Sequence, residues 1–176
     1  MPGNTKKLAK ELLLLRHAKS DWNGHTSDFN RPLKKRGKSN AKQMGLWLAE
    51  QNLIPDLIIT SPAIRALHTA QIICKFMQIS ESTIEQEKLL YLADESDWLT
   101  VLSTIPLSIN RLMLVGHNPG MENLLSYFVP NIKIPEDGKL LPTATLAYLV
   151  VNQQWKSLQS EYYIQRPKNL PAAFLE

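Results

Sequence analysis

Apolar positions along the chain follow two different rhythms. Short, nearly unbroken apolar runs lie at 12–15, 57–60 and 111–116, each bounded by polar or turn-forming residues. Runs of that length and content predict strands buried on both faces of a parallel sheet. Between them the spacing changes to i, i+3, i+4, i+7, the mark of helices with one buried face. Ala41, Met44, Trp47 and Leu48 predict a helix over 34–50. Ala63, Ala66, Leu67, Ala70, Ile73, Cys74 and Met77 predict a second. Trp98, Val101, Leu102 and Ile105 mark a third, ended by Pro106. Met121, Leu124, Leu125 and Phe128 mark a fourth, ended by Pro130.

Strand alternating with helix predicts an α/β fold: a three-layer sandwich with a mostly parallel central sheet flanked by helices. Pro135, Gly138 and Pro142 predict a surface loop over 131–142. The β-branched and aromatic stretches 145–151 and 155–163 flank Asn152-Gln153-Gln154 and predict a late hairpin or strand pair. A length of 176 residues favours one domain over 1–176. Irregular tails are expected at 1–9 and 171–176.

Composition narrows the function classes. Hydrophobic residues make up 44% and charged residues 20%, with a net charge of +4. That is too mild a surplus to call for nucleic acid or a membrane surface. The densest basic stretch, Arg31-Pro32-Leu33-Lys34-Lys35-Arg36-Gly37-Lys38, reads as a solvated helix start, in which Arg31 or Arg36 could guide an acidic partner. No apolar run is long enough for a signal-peptide core or a membrane span. The one cysteine, Cys74, sits on an apolar helix face and reads as a buried structural thiol, in keeping with a cytoplasmic location. A monomer is favoured.

The candidate chemistry lies where the predicted strands end. The first run leads into Arg16-His17. The second leads into Thr60-Ser61-Pro62, with Arg65 just beyond, and the third into Gly116-His117-Asn118-Pro119-Gly120. Ligands of open α/β sheets bind outside the carboxyl ends of the strands. Neighbouring parallel strands would therefore gather two imidazoles and two guanidiniums at one sheet edge, a cup suited to a phosphate dianion. Ser61 is expected as an N-cap and Pro62 in the first turn, which places Arg65 near a helix N-terminus. His25 and His68 read as structural.

These motifs resemble the histidine phosphatase superfamily, whose fold is phosphoglycerate mutase-like. Arg16-His17-Ala18-Lys19-Ser20-Asp21-Trp22-Asn23 resembles its Arg-His-Gly signature, with alanine in place of glycine. Ser61-Pro62-Ala63-Ile64-Arg65-Ala66-Leu67-His68-Thr69-Ala70 is similar to its second motif, with histidine where glutamine is common. Gly116-His117-Asn118-Pro119-Gly120 is similar to its last. Asp28-Phe29-Asn30-Arg31-Pro32-Leu33, Arg36-Gly37, Pro142-Thr143-Ala144 and Arg166-Pro167-Lys168 resemble the SixA-type phosphohistidine phosphatase branch.

The resemblance implies that His17 is the nucleophile and forms a phosphohistidine that water then cleaves, while Arg16, Arg65 and His117 hold the phosphoryl oxygens. Asn23 occupies the position of a phosphate-contacting asparagine. Ser20, Asn118 and Arg31 are further substrate-binding candidates. No metal or cofactor is expected, because the two histidines lack a carboxylate cluster and the cup is already cationic.

Many relatives place a glutamate acid after the third strand region, where this chain has Leu92. Asp94, Glu95 and Asp97 follow it, and read as the cap and first turn of a helix. A phosphoramidate nitrogen can be protonated before it leaves, whereas an alkyl oxygen needs a donor. A missing acid therefore favours phosphohistidine on a partner protein. The alternatives are a small phosphorylated metabolite such as a sugar or nucleotide, and a phospho-recognition module without turnover.

Overall fold

A computed structural model describes residues 9–22 and 26–171. Its centre is a six-stranded sheet: β1 (Lys10–Arg16), β2 (Leu57–Thr60), β3 (Ile84–Gln86), β4 (Arg111–Gly116), β5 (Leu146–Val151) and β6 (Leu158–Gln165). The spatial order is β3-β2-β4-β1-β5-β6. Four helices accompany it: α1 (Lys35–Glu50), α2 (Ile64–Met77), α3 (Glu95–Ser103) and α4 (Gly120–Phe128).

The alternation within β1 explains the layers. Leu13 and Leu15 point into a cluster with Met44 and Leu48 of α1 and Ala70 and Ile73 of α2. Leu12 and Leu14 point the other way, towards Trp98 and Leu102 of α3 and Met121 and Leu125 of α4. A strand covered on both faces has no reason to alternate apolar with polar.

The expectation of a mostly parallel sheet holds only in part. β1, β4, β2 and β3 run parallel, but β5 pairs antiparallel with β1, and β6 antiparallel with β5, giving a mixed sheet. For β6 the cause is local: it is joined to β5 by a tight turn that reverses the chain, closed by Asn152 N–H to the Ser157 carbonyl and Trp155 N–H to the Asn152 carbonyl, both 3.0 Å. Short connections of this kind join only antiparallel neighbours. β5 itself is reversed against β1 by the long connection that follows α4.

Trp155, expected in the last strand, sits instead in this turn at φ 58°. Its indole is buried in the α3/α4 core, and β6 starts three residues later, at Leu158. Strand β3 has no counterpart among the predicted elements. It is a three-residue edge strand without a fully buried side chain, so it carries no apolar signal.

α3 begins at Glu95, ahead of its first apolar residue, because Asp94 and Asp97 form a capping box. Cys74 is fully buried on α2, and burial raises its thiol pKa to about 11. No helix of the described residues is long and apolar enough to cross a membrane.

Candidate active site

Sheet register brings the chemistry together. β4 lies between β1 and β2, with Arg16 opposite Gly116 and Thr60 opposite Val115. The ladder continues one residue beyond the strands: His17 N–H donates to the Gly116 carbonyl and Ser61 N–H to the Val115 carbonyl, both at 3.0 Å. His17, Ser61 and His117 therefore emerge side by side. The two imidazoles lie 5.0 Å apart between ring centroids, tilted by 55°, and both residues are buried.

Each ring has a defined neighbour. Nδ1 of His17 lies 2.7 Å from the Ala18 carbonyl oxygen, which can only accept, so Nδ1 carries the proton and Nε2 keeps its lone pair. His117 Nε2 lies 2.8 Å from the Ser61 hydroxyl, and its Nδ1 is buried without a partner among the described residues. Ser61 corrects one expectation. The N-cap of α2 is Ala63, and no side chain caps the helix. The Ser61 hydroxyl accepts from Ala63 N–H at 3.3 Å while facing His117. Pro62 thus precedes the helix, and Arg65 still falls in its first turn.

The arginines are held from behind. Arg16 donates to the Leu141 carbonyl at 2.8 Å, and the Asn118 amide donates to the same oxygen at 3.0 Å. Arg65 donates through Nη1 to the Asp28 carbonyl and through Nη2 to its carboxylate at 3.0 Å. That carboxylate also accepts from Arg31 at 2.9 Å and from the Tyr91 hydroxyl at 3.1 Å. Arg31 lies 3.4 Å from the centre of the Trp22 ring. Tyr91 meets His117 edge-on at 6.1 Å.

These anchors leave other donors free. Nε of Arg16, Nε of Arg65, and Nε and Nη1 of Arg31 are buried with no acceptor among the described residues. Unpaired buried donors cost stability, so such a concentration needs a reason.

The local field keeps both imidazoles neutral at ordinary pH. Burial lowers His17 to about 3; the bond to Ala18 opposes the shift, and His117, Arg65 and Arg16 add to it. Burial and then Arg65 lower His117 to about 4, against the pull of Asp28. For Asp28 itself, burial works upwards, but Arg65, Tyr91 and Arg31 outweigh it and the carboxyl pKa falls.

The remaining candidates are placed less decisively. Ser20 is buried, and its backbone bridges to Leu33. Arg31 joins the Asp28 clamp, and Asn118 is tied to Leu141. Asn23 and His25 lie outside the described residues. Leu92, at the position where many relatives carry an acid, is 74% exposed at φ 59°.

Sequence reasoning misses the roles of Asp28, Ser61 and Tyr91. Asp28 carries a usable signal, its i, i+3 spacing to Arg31. Tyr91 carries none. Glu122 is also missed: it accepts from Leu141 N–H at 2.8 Å and opposes the lowering of the Arg16 pKa by burial.

The sequence model of the histidine phosphatase superfamily (branch 1) matches residues 12–91, a stretch that holds Arg16, His17 and Arg65. A 2,3-bisphosphoglycerate-dependent phosphoglycerate mutase of Bifidobacterium longum is 42% identical over 66 residues, covering 35% of this chain and 26% of the mutase. The chain thus spans about a quarter of the length of the curated relatives it matches.

Similarity to solved structures extends further. A protein of Agrobacterium tumefaciens, provisionally described as the phosphohistidine phosphatase SixA, is 28% identical with a TM-score of 0.70, covering 88% of this chain and 94% of that one. The protein histidine phosphatase SixA complexed with tungstate shares the fold, with a TM-score of 0.78 at 20% identity over 92% of this chain and 99% of that one. Over residues 12–91 the chain matches the histidine phosphatase superfamily in sequence, and it shares its fold with solved histidine phosphatases.

Proposed function

We propose that this protein is a phosphatase working through a covalent phosphohistidine on His17, and that its substrate is a phosphohistidine side chain of another protein. The observation that carries this reading is the set of free buried donors on Arg16, Arg31 and Arg65 beside a neutral imidazole whose Nε2 lone pair is available. Phosphoryl transfer requires chiefly positioning and charge stabilisation of the equatorial oxygens, which fixed, dry donors supply.

In the first step Nε2 of His17 attacks phosphorus, and the bond from phosphorus to the leaving imidazole nitrogen breaks as that nitrogen takes a proton from water. In the second, water attacks phosphorus, the bond to Nε2 breaks, and phosphate leaves with the displaced proton going to solvent. With the Ser61 hydroxyl donating to Nε2 of His117, Nδ1 of that ring carries a proton and donates to a phosphoryl oxygen.

The substrate class follows from what could supply a proton. Asp28 is held ionised by its arginines, Asp94 and Asp97 cap α3, and the position after Tyr91 holds a leucine. A leaving group that needs no protein acid suits these residues best. Two exposed apolar side chains, Trp22 on Arg31 and Leu92 beside Tyr91, offer contact to a protein partner. Among structural relatives, three are described as SixA histidine phosphatases, two of them provisionally.

The mutase relatives favour a second reading, hydrolysis of a small phosphorylated metabolite. Incubation with a labelled phosphohistidine protein tests both. A labelled enzyme is expected to form, and to be lost in His17→Ala with a fall in turnover of roughly 10⁴-fold or more. An unlabelled enzyme would overturn the covalent route. A higher kcat/KM for sugar phosphates than for the phosphohistidine protein would overturn the substrate.

A further inference from the structure

A cavity of about 470 Å³ lies beside the reaction cup, and none of His17, Arg16, Arg65 or His117 lines it. Its walls carry six cationic side chains, Lys19, Lys34, Arg36, Lys139, Arg166 and Lys168, against one carboxylate, Asp137. That volume lies in the range of small-molecule sites. The residues come from four separate places in the chain, so the charge is assembled by the fold.

Three of these groups already have a carboxylate nearby, Lys168 through its exposed ammonium 3.9 Å from Asp137. Arg166 is held by Asp137 at 2.6 Å and also donates to the Lys139 carbonyl. Lys34 lies 3.5 Å from Asp21. The rest of the charge outweighs the single carboxylate.

One further observation points to a ligand. Thr145 lines the cavity and is fully buried, yet its hydroxyl has no hydrogen-bond partner among the described residues. Buried hydroxyls are nearly always paired. A threonine hydroxyl can donate to an anion while the surrounding ammonium and guanidinium groups supply charge.

We propose that this cavity is a second anion site that takes a compact small molecule bearing two or more phosphoryl groups. A single phosphate would leave most of the cationic wall unanswered, whereas a linked pair or triplet spans it. The site is separate from the cup, although the two share a boundary. The segment holding Lys139 and Pro142 on the cavity side presents the Leu141 carbonyl to Arg16 on the other.

Inorganic tripolyphosphate is the probe, titrated calorimetrically into the whole protein. Wild type and Arg65→Gln are expected to bind it alike. Arg36→Glu combined with Lys168→Glu replaces two exposed cations and is expected to weaken binding by about 30-fold or more, with turnover of an aryl phosphate within about twofold of wild type. Thr145→Val, nearly isosteric, is expected to weaken binding several-fold, and Asp137→Asn to tighten it.

Absence of binding to wild type would overturn the site. So would loss of binding in Arg65→Gln, which would assign the anion to the cup, or binding indifferent to the charge reversals. The readout is binding, so failure to trap a phosphoenzyme would leave this result standing.

Discussion

Two aspartates hold arginines in this protein, with opposite consequences. In the cup, Asp28 takes Nη2 of Arg65 and Nη2 of Arg31, yet both guanidiniums keep buried donors without an acceptor among the described residues. In the neighbouring cavity, Asp137 takes both terminal nitrogens of Arg166, at 2.6 and 3.3 Å, and the Lys139 carbonyl takes one of them again. The first carboxylate orients charge and leaves it available; the second largely consumes it. A salt bridge alone therefore says little about a site. What matters is how many donors remain once the anchoring bonds have been counted.

The sharpest way to break this contrast is to delete a cup arginine. Arg65→Ala is expected to lower kcat on an aryl phosphate by about 10²–10³-fold, the usual loss when one fixed oxyanion donor is removed. Lys168→Ala, on the cavity side, is expected to change kcat by less than about twofold. Steady-state kinetics on the two variants suffices. Comparable losses in both would mean that cup and cavity act as one site.

The cup is far more legible in the sequence than the cavity. The runs leading into Arg16-His17, Ser61 and His117 form β1, β2 and β4, and their apolar content on both faces carries that signal. The order β2-β4-β1, which lines up the three ends, depends on long-range pairing that no local pattern encodes. β3 leaves no trace because an exposed three-residue edge strand buries almost nothing. The reversal at 152–157 is legible as a hairpin, but the pairing that sets β5 antiparallel beside β1 is not.

Within the site, Asp28 shows in the sequence only as part of a motif, because its partner Arg65 lies 37 residues away. Ser61 looks like a helix cap, since serine before proline satisfies that rule locally; its contact with His117 is purely tertiary.

The dry environment of the cup also sets its response to acid. Folding lowers His17 from 6.5 to about 3 and His117 from 6.5 to about 4. Between those values the unfolded chain binds protons that the folded protein refuses. These histidines therefore impose no penalty above pH 6.5, and stability falls as pH drops from there towards the folded values. Each contributes a slope of up to about 1.4 kcal/mol per pH unit. His17→Gln should flatten the fall measured by urea unfolding between pH 6.5 and 5 by about one proton's worth. An unchanged slope would mean that His17 titrates alike in both states, and the neutral, desolvated imidazole would have to be abandoned.

Asp28→Asn probes the clamp itself with a smaller effect. The amide keeps the shape and can still accept from Tyr91, but it removes the charge that orients Arg65 and Arg31. Loss of orientation without loss of the guanidiniums is expected to cost about tenfold in kcat, well short of deleting Arg65. The aspartate is partly exposed, so stability should change by less than about 1 kcal/mol. Its charge also raises the His117 pKa, so the variant should hold that imidazole neutral to still lower pH. The acid limb of kcat should therefore not move upwards. The same change at Asp137 should leave kcat alone and act only on anion binding in the cavity. If Asp28→Asn left kcat untouched while Asp137→Asn lowered it, the carboxylate that prepares charge for chemistry would be the one in the cavity.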